Sequence, residues 1–239
     1  MTVDISGLEY REVNDIIRGE AGETVITGAL GQRFLAAGTS GKNIKIYGVP
    51  GNALGAYLNG GRIEVFGNAQ DATGDTMNDG EIVIHGNIGD AAGYAMRGGK
   101  IYVEGDAGYR AGIHMKAYRD KVPVMVIGGS AGSFLGEYQA GGIIVVLGLG
   151  KRGGRVVGNF PCTGMHGGKM FIRDVPEHLQ LPAQVTARLA DAEDIDGIRE
   201  YIRCYAEFFG AGLESVIGHP FTVITPDSGN PYKQMYVAN

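Results

Sequence analysis

The 239-residue sequence has no tryptophan, only two cysteines and only eight prolines. Cys162 and Cys204 form neither a CxxC pair nor a disulfide framework, so the expected setting is cytoplasmic with reduced thiols. Long apolar runs are missing too. The most apolar segment, Ile143 to Leu149, falls far short of the roughly 20 residues that a membrane-spanning helix needs. Met1 to Tyr10 contains Asp4 and Glu9 and no apolar h-region, so it does not read as a signal peptide. The net charge is −5, with no run of either sign, which argues against a nucleic-acid or anionic-membrane surface.

Glycine, by contrast, is abundant: 42 residues, of which 37 precede residue 175. That drop in glycine marks the main boundary in the chain. The glycines follow a pattern. Gly60-Gly61-Arg62-Ile63-Glu64-Val65-Phe66-Gly67 recurs as Asp79-Gly80-Glu81-Ile82-Val83-Ile84-His85-Gly86 and as Gly98-Gly99-Lys100-Ile101-Tyr102-Val103-Glu104-Gly105, with closing glycines 19 residues apart. A fixed period near 20 is the signature of a stacked repeat, in which each unit buries its apolar face only against its neighbours.

The closing position runs through Gly28, Gly48, Gly67, Gly86, Gly105, Gly128 and Gly148 to Asp174. Two residues before it lie Ile26, Ile46, Val65, Ile84, Val103, Val126, Val146 and Ile172, and two further back Thr24, Ile44, Ile63, Ile82, Ile101, Val124, Ile144 and Met170. A spacing of two puts both columns on one face of a strand, which is the expected core. Further columns, Leu58/Met77/Met96/Met115 and Gly55/Gly74/Gly93/Gly112, add core filling and tight corners. The fold class predicted is all-β: a single-stranded, right-handed parallel β-helix of about seven to eight rungs. Leucine-rich repeats are excluded by scarce leucine, and calcium-binding β-rolls by turns that lack the required Asp.

Residues 1–22 are expected to form an N-terminal helical cap, with the helix at about 8–18. The β-helix should occupy 23–174, and 175–239 should be a helical tail packed on it. In that tail Pro182 is expected to open a short helix carrying Val185 and Leu189, and Asp191 or Asp194 to cap a longer one from about Glu193 to Phe209. A helical piece near Leu213–Ile217 and a strand at Phe221–Ile224 follow. Outward slots are polar on the early rungs but become Pro123, Met125, Ile127, Ile143, Val145 and Leu147 later. Such a face needs a cover, either the tail or a partner, and a second copy of the chain is one candidate. Insertions at Ala117–Asp120 and Leu149–Gly158 interrupt the array, the second made basic by Lys151, Arg152 and Arg155. The candidate partner contacts are therefore Lys151, Arg152, Arg155, Met125, Ile127, Ile143, Val145 and Leu147.

Reactive constellations are sparse. Gly148-Leu149-Gly150-Lys151-Arg152-Gly153 matches a dinucleotide fingerprint, but Gly153, Gly154, Gly158, Pro161 and Gly164 argue against the helix that must follow. Cys162, four residues before His166, sits in the small-residue corner slot of Gly93 and Gly112 and reads as a packed thiol. The five histidines form no HxH or HExxH pattern, so no metal ligands are assigned. Asp71, Asp75, Asp79, Asp90 and Asp106 lie at turns, where aspartate commonly bonds its own backbone. No catalytic or cofactor-binding residue is assigned, and the chain reads as a scaffold rather than an enzyme.

The rungs, with Gly60–Ala69, resemble the GXGXG-motif β-helix found as the C-terminal domain of the glutamate synthase large subunit and as a stand-alone protein. Val157-Gly158-Asn159-Phe160-Pro161-Cys162-Thr163-Gly164-Met165-His166-Gly167-Gly168 is similar to that family's stretch after its last long loop, though Cys162 stands where a small residue such as alanine is usual. Ile198–Phe209, Phe221–Pro226 and Tyr232-Lys233 resemble its closing helix, strand and tyrosine–lysine pair, with a longer run from Pro226 to Tyr232. The resemblance implies a non-catalytic structural subunit of a glutamate synthase-like complex. A glutamine amidotransferase and an FMN/iron–sulfur synthase would sit on partner chains, with no cofactor on this one. The alternative is the similar β-helical subunit of formylmethanofuran dehydrogenase or a related formyl-transfer complex. An enzyme working in the groove of the helix, as polysaccharide lyases do, lacks its acid–base cluster here.

Overall fold

The computed structural model describes residues 1–150, 155–174 and 179–227. The chain is a parallel β-solenoid of about eight turns with a short helix at its first end and two helices near its last. Its first strand, β1 (Thr2–Asp4), precedes α1 (Tyr10–Gly19). The turns are then marked by β2 (Thr24–Leu30), β3 (Lys42–Val49), β4 (Asn59–Phe66), β5 (Asp79–Ile84), β6 (Lys100–Val103), β7 (Val124–Ile127), β8 (Ala140–Val146) and β9 (Gly167–Arg173). After them come β10 (Val185–Leu189), α2 (Ala192–Phe209), α3 (Leu213–Ile217) and β11 (Phe221–Pro226). All eleven strands form one sheet, parallel from β1 to β9 and antiparallel through β11 and β10.

The 19-residue period is a register of backbone bonds. Ile44 pairs with Ile63, Ile63 with Ile82 and Ile82 with Ile101, so identical slots stack on one another. Inside lie Ile26, Ile46, Val65, Ile84 and Val103, and on the opposite wall Leu58, Met77, Met96 and Met115, all fully buried. Gly55, Gly74, Gly93 and Gly112 turn the corner with φ between +62° and +71°, and a Cβ on Gly74 would meet the Ile101 side chain at 2.6 Å.

Helix α1 closes the first end. Glu9 and Glu12 form a reciprocal capping box, and Val13 and Ile17 are buried against Ile5 and Ile26. Buried Asn14 ties the helix to the first turn: its Nδ2 donates to Phe34 O at 2.8 Å and its Oδ1 accepts from Ala36 N at 2.7 Å. Strand β1 falls within residues 1–22, expected to be a helical cap, and adds one more rung by pairing with β2.

Two further expectations are corrected. The first concerns phase at β7. Met125 pairs with Ile101 and Ile127 with Val103, so these two side chains enter the inner core while Val124 and Val126 face out. The insertion after Met115 is thus one residue longer than the glycine column suggested, and Gly129, not Gly128, closes this rung. A one-residue slip reverses every side chain of a strand, and a segment apolar at all four positions gives no alternation with which to detect it. The second concerns 182–189, where Val185–Leu189 forms the strand β10 instead of a helix. It pairs antiparallel with β11, Val185 opposite Pro226, and so occupies a sheet edge that would otherwise be bare.

Close approach of neighbouring turns fixes where glycine is needed. A Cβ on Gly51 would lie 2.2 Å from the Gly31 carbonyl oxygen, whereas one on Gly38 would meet nothing within 4 Å. Gly38→Ala should cost about 1 kcal/mol through its φ of +66° alone. Gly51→Ala should cost about 3 kcal/mol or more, because only the backbone can yield. Urea midpoints at constant m-value would check the order.

Candidate functional site

The outer face of the sheet has two halves. Over the later rungs, Val83, Tyr102, Val124, Val126, Val145, Leu147 and Phe171 form a second buried cluster with Ile198, Ile202, Tyr205 and Val216 of α2 and α3. The apolar outer slots are therefore covered by this chain's own helices. Helix α2 is held there by its cap. Asp191 and Asp194 form a reciprocal capping box, and Asp194, buried, meets Lys169 Nζ at 3.0 Å and an Arg188 guanidinium nitrogen at 2.6 Å. Burial acts to raise the Asp194 pKa, but these partners outweigh it and hold the carboxyl below its usual range. At the helix's far end the Tyr205 hydroxyl donates to Glu104 O at 3.3 Å, and Arg62 lies over the Phe208 ring.

Over the early rungs the same face is open and charged. Lys45–Glu23 (3.0 Å), Arg62–Glu81 (2.7 Å), Lys100–Glu81 (3.5 Å) and His85–Glu64 (2.9 Å) pair across successive turns. All of these residues except His85 line an open groove of about 650 Å³. Tyr47, Phe66 and His85 stack beside them at centroid distances of 4.7 and 4.8 Å, and Phe209 of α2 meets His85 edge-on.

Of the eight candidate contact residues, Met125 and Ile127 are core, and Val145 and Leu147 are buried under the tail. Ile143 is partly buried at the margin of the same cluster. Arg155 is exposed, with one guanidinium nitrogen donating to Asn159 Oδ1. Lys151 and Arg152 lie outside the described residues, as do Tyr232, Lys233 and His178. Residues 155–166 contain no helix, so the glycine-rich stretch before them is not followed by the element that a dinucleotide site requires.

Of the five turn aspartates, Asp79 accepts from the next backbone amide, Gly80 N at 2.8 Å, as expected, and Asp75 from the Thr76 hydroxyl, whereas the other three reach a neighbouring turn. Asp71 Oδ1 accepts from the Asp90 backbone N–H at 2.9 Å, Asp90 from Tyr109 at 2.7 Å and Asp106 from Ser130 at 2.7 Å. Asn68 and Asn87 do the same for Asn87 and Asp106, both at 2.8 Å. Each oxygen bonds the turn above rather than its own, and the recurrence of Asn or Asp at one repeat position was the available signal. Among the described residues no group of three or more His, Cys, Asp or Glu is placed to hold a metal ion. None of the described helices is long and apolar enough to cross a membrane.

Register, glycine corners and side-chain ladders thus define a glycine-cornered parallel β-solenoid. Residues 11–225 match the GXGXG motif family, and the chain belongs to that family. It is 43% identical to the uncharacterized protein MJ1350 of Methanocaldococcus jannaschii, over 99% of this chain and 96% of that one. Among solved structures, it is similar to a chain in the crystal structure of the formyltransferase/hydrolase complex FhcABCD from Methylorubrum extorquens with methylofuran. There the TM-score is 0.63 at 20% identity, over 92% of this chain and 89% of that chain.

Cys162 is fully buried with φ +59°, its thiol 3.6 Å from Met170 Sδ, and burial pushes its pKa up to about 12. A thiol reagent at pH 8 should therefore modify the partly exposed Cys204 and leave Cys162 unmodified until the chain unfolds. The folded-state value lies above the roughly 8.5 of an unfolded thiol, so this group's stabilising contribution is intact below that pH and declines as pH rises toward 12. Cys162→Ala should show a shallower alkaline loss of stability in denaturant titrations between pH 8 and 11.

Proposed function

We propose that the chain is a non-catalytic structural subunit of a multi-subunit enzyme complex of the formyl-transfer kind. The observation that carries this reading is the agreement of fold along nearly the full length of both chains with a member of the FhcABCD assembly. The placement of the reactive groups supports it: Cys162 is core filling, and Asp71, Asp90 and Asp106 accept from backbone amides of neighbouring turns. What remains for partners is the open, charged half of the outer sheet together with the insertions that break the repeat. The catalytic groups and cofactors of such a complex belong to its other chains.

A second reading, a subunit of a glutamate synthase-like complex, draws on the Val157–Gly168 stretch and on the closing helix and strand. There glutamine hydrolysis and FMN/iron–sulfur chemistry would reside on partner chains. Purification of the tagged chain from its native cells separates the two. Stoichiometric recovery of formyltransferase or hydrolase subunits is the expected result, and an amidotransferase with a flavoprotein supports the second reading. A chain that purifies without partners, or that alone carries a flavin or turns over glutamine or a formyl donor, overturns the subunit assignment.

A further inference from the structure

One outward column changes character halfway along the solenoid. The residues that follow the Leu58/Met77/Met96/Met115 wall are Asn59 and Asn78 on the early turns, then Arg97, Lys116, Ala140 and His166 on the later ones. They are stacked by rung-to-rung backbone bonds such as Arg97 N to Met77 O and Lys116 N to Met96 O. Beside this column runs an aromatic ladder. Tyr94 meets His114 edge-on at 5.8 Å, and His114 stacks on Tyr138 at 5.1 Å with planes 11° apart. The two columns line a groove of about 370 Å³ that contains no acidic residue among the described residues.

Several cations elsewhere on the molecule pair with carboxylates, among them Lys45, Arg62, Lys100, Arg110 and Lys121. Among the described residues, neither Arg97 nor Lys116 has a side-chain hydrogen bond or ion pair. The nearby acids are engaged elsewhere: Glu137 is buried against Arg110 at 2.6 Å, and Asp75 accepts from the Thr76 hydroxyl. Like charges on adjacent rungs, about 4.8 Å apart along the stack, are destabilising. Arg97 carries a second cost, since its Nε is buried without an acceptor. An arrangement that is unfavourable in the empty groove becomes favourable once an oxyanion joins it. His166, whose Nδ1 donates to Gly164 O at 3.0 Å, presents Nε2 as a further polar group on the same wall.

We propose that this groove is a binding site for a small molecule carrying a carboxylate or phosphate next to a flat ring. Arg97 and Lys116 take the oxyanion, and the Tyr94–His114–Tyr138 ladder supports the ring. The site stands independently of the subunit reading above.

Calorimetric titration of the full chain with phenyl phosphate and with benzoate tests it, with inorganic phosphate and phenol as the half-ligands. At least one ring-bearing anion should bind about tenfold more tightly than either half-ligand, and which of the two does so tells phosphate from carboxylate. Arg97→Gln should weaken that binding about tenfold, the loss of one charge-assisted contact. Lys116→Gln, on an exposed side chain that folding does not need, should weaken it by a factor of about three or more, a smaller charge contribution. Arg33→Gln, an exposed and likewise unpaired arginine on another turn, should leave it unchanged. Absence of binding by both ring-bearing anions overturns the proposal. So does equal binding of inorganic phosphate, or an equal effect of Arg33→Gln, either of which marks diffuse charge attraction.

Discussion

Everything in this molecule depends on bringing one turn of backbone close enough to the next for their amides and carbonyls to pair all the way round. Strands alone do not achieve this, because the corners between them must stack as tightly as the strands do. Glycine supplies the clearance: Gly61, with φ +86°, leaves no room for a Cβ beside Lys42 O, and Gly80 repeats the situation one turn on. The core follows from that stacking. Once the backbones are in register, Ile, Val and Met columns form without further specification, each side chain resting on its counterpart in the turn below. The same register imposes a constraint on the outside, since any slot that turns apolar on successive rungs builds a continuous apolar strip. Helices α2 and α3 exist to cover one such strip, and the capping cluster around Asp194 sets where they begin.

The fold was legible because the repeat writes it many times over. Three near-identical phrases between Gly60 and Gly105 fix both period and inner face, and no single substitution obscures them. Legibility failed where repetition did. At β7 every residue is apolar, so the alternation that identifies the buried face elsewhere is missing. The true phase emerges only from pairing with β6 and β8. Segment 182–189 misled for a different reason: its local pattern suits a helix, but the exposed edge of β11 offers it bonds that no short sequence can announce. Strand β1, three residues long, is likewise defined by its neighbour and not by its composition.

The candidate site divides in the same way. That the outer slots from 143 to 147 need a cover is a property of sequence, and the tail that provides it was readable as amphipathic helix. Which side chains of the preceding rung share that face was not, because Met125 and Ile127 depend on the phase error. The Arg97–Lys116–His166 column lies in plain view once the turns are aligned. It passes unnoticed when residues are weighed singly for nucleophiles or metal ligands, since it is a run of basic and polar side chains spread over several turns.

The side-chain ladder at the turns has a direction. Asn68, Asn87 and Asp106 each offer an oxygen toward the C-terminal neighbour, and Asp71 and Asp90 do the same. A turn stripped of the one above it keeps acceptors that water satisfies readily. A turn stripped of the one below it loses the partners of its own amides just where the corner leaves least access for solvent. Along this ladder the solenoid is polar: each of these side-chain oxygens serves the turn on its C-terminal side. At the first end a dedicated lid, here α1 with Asn14 reaching into the first turn, has to stand in for the missing layer.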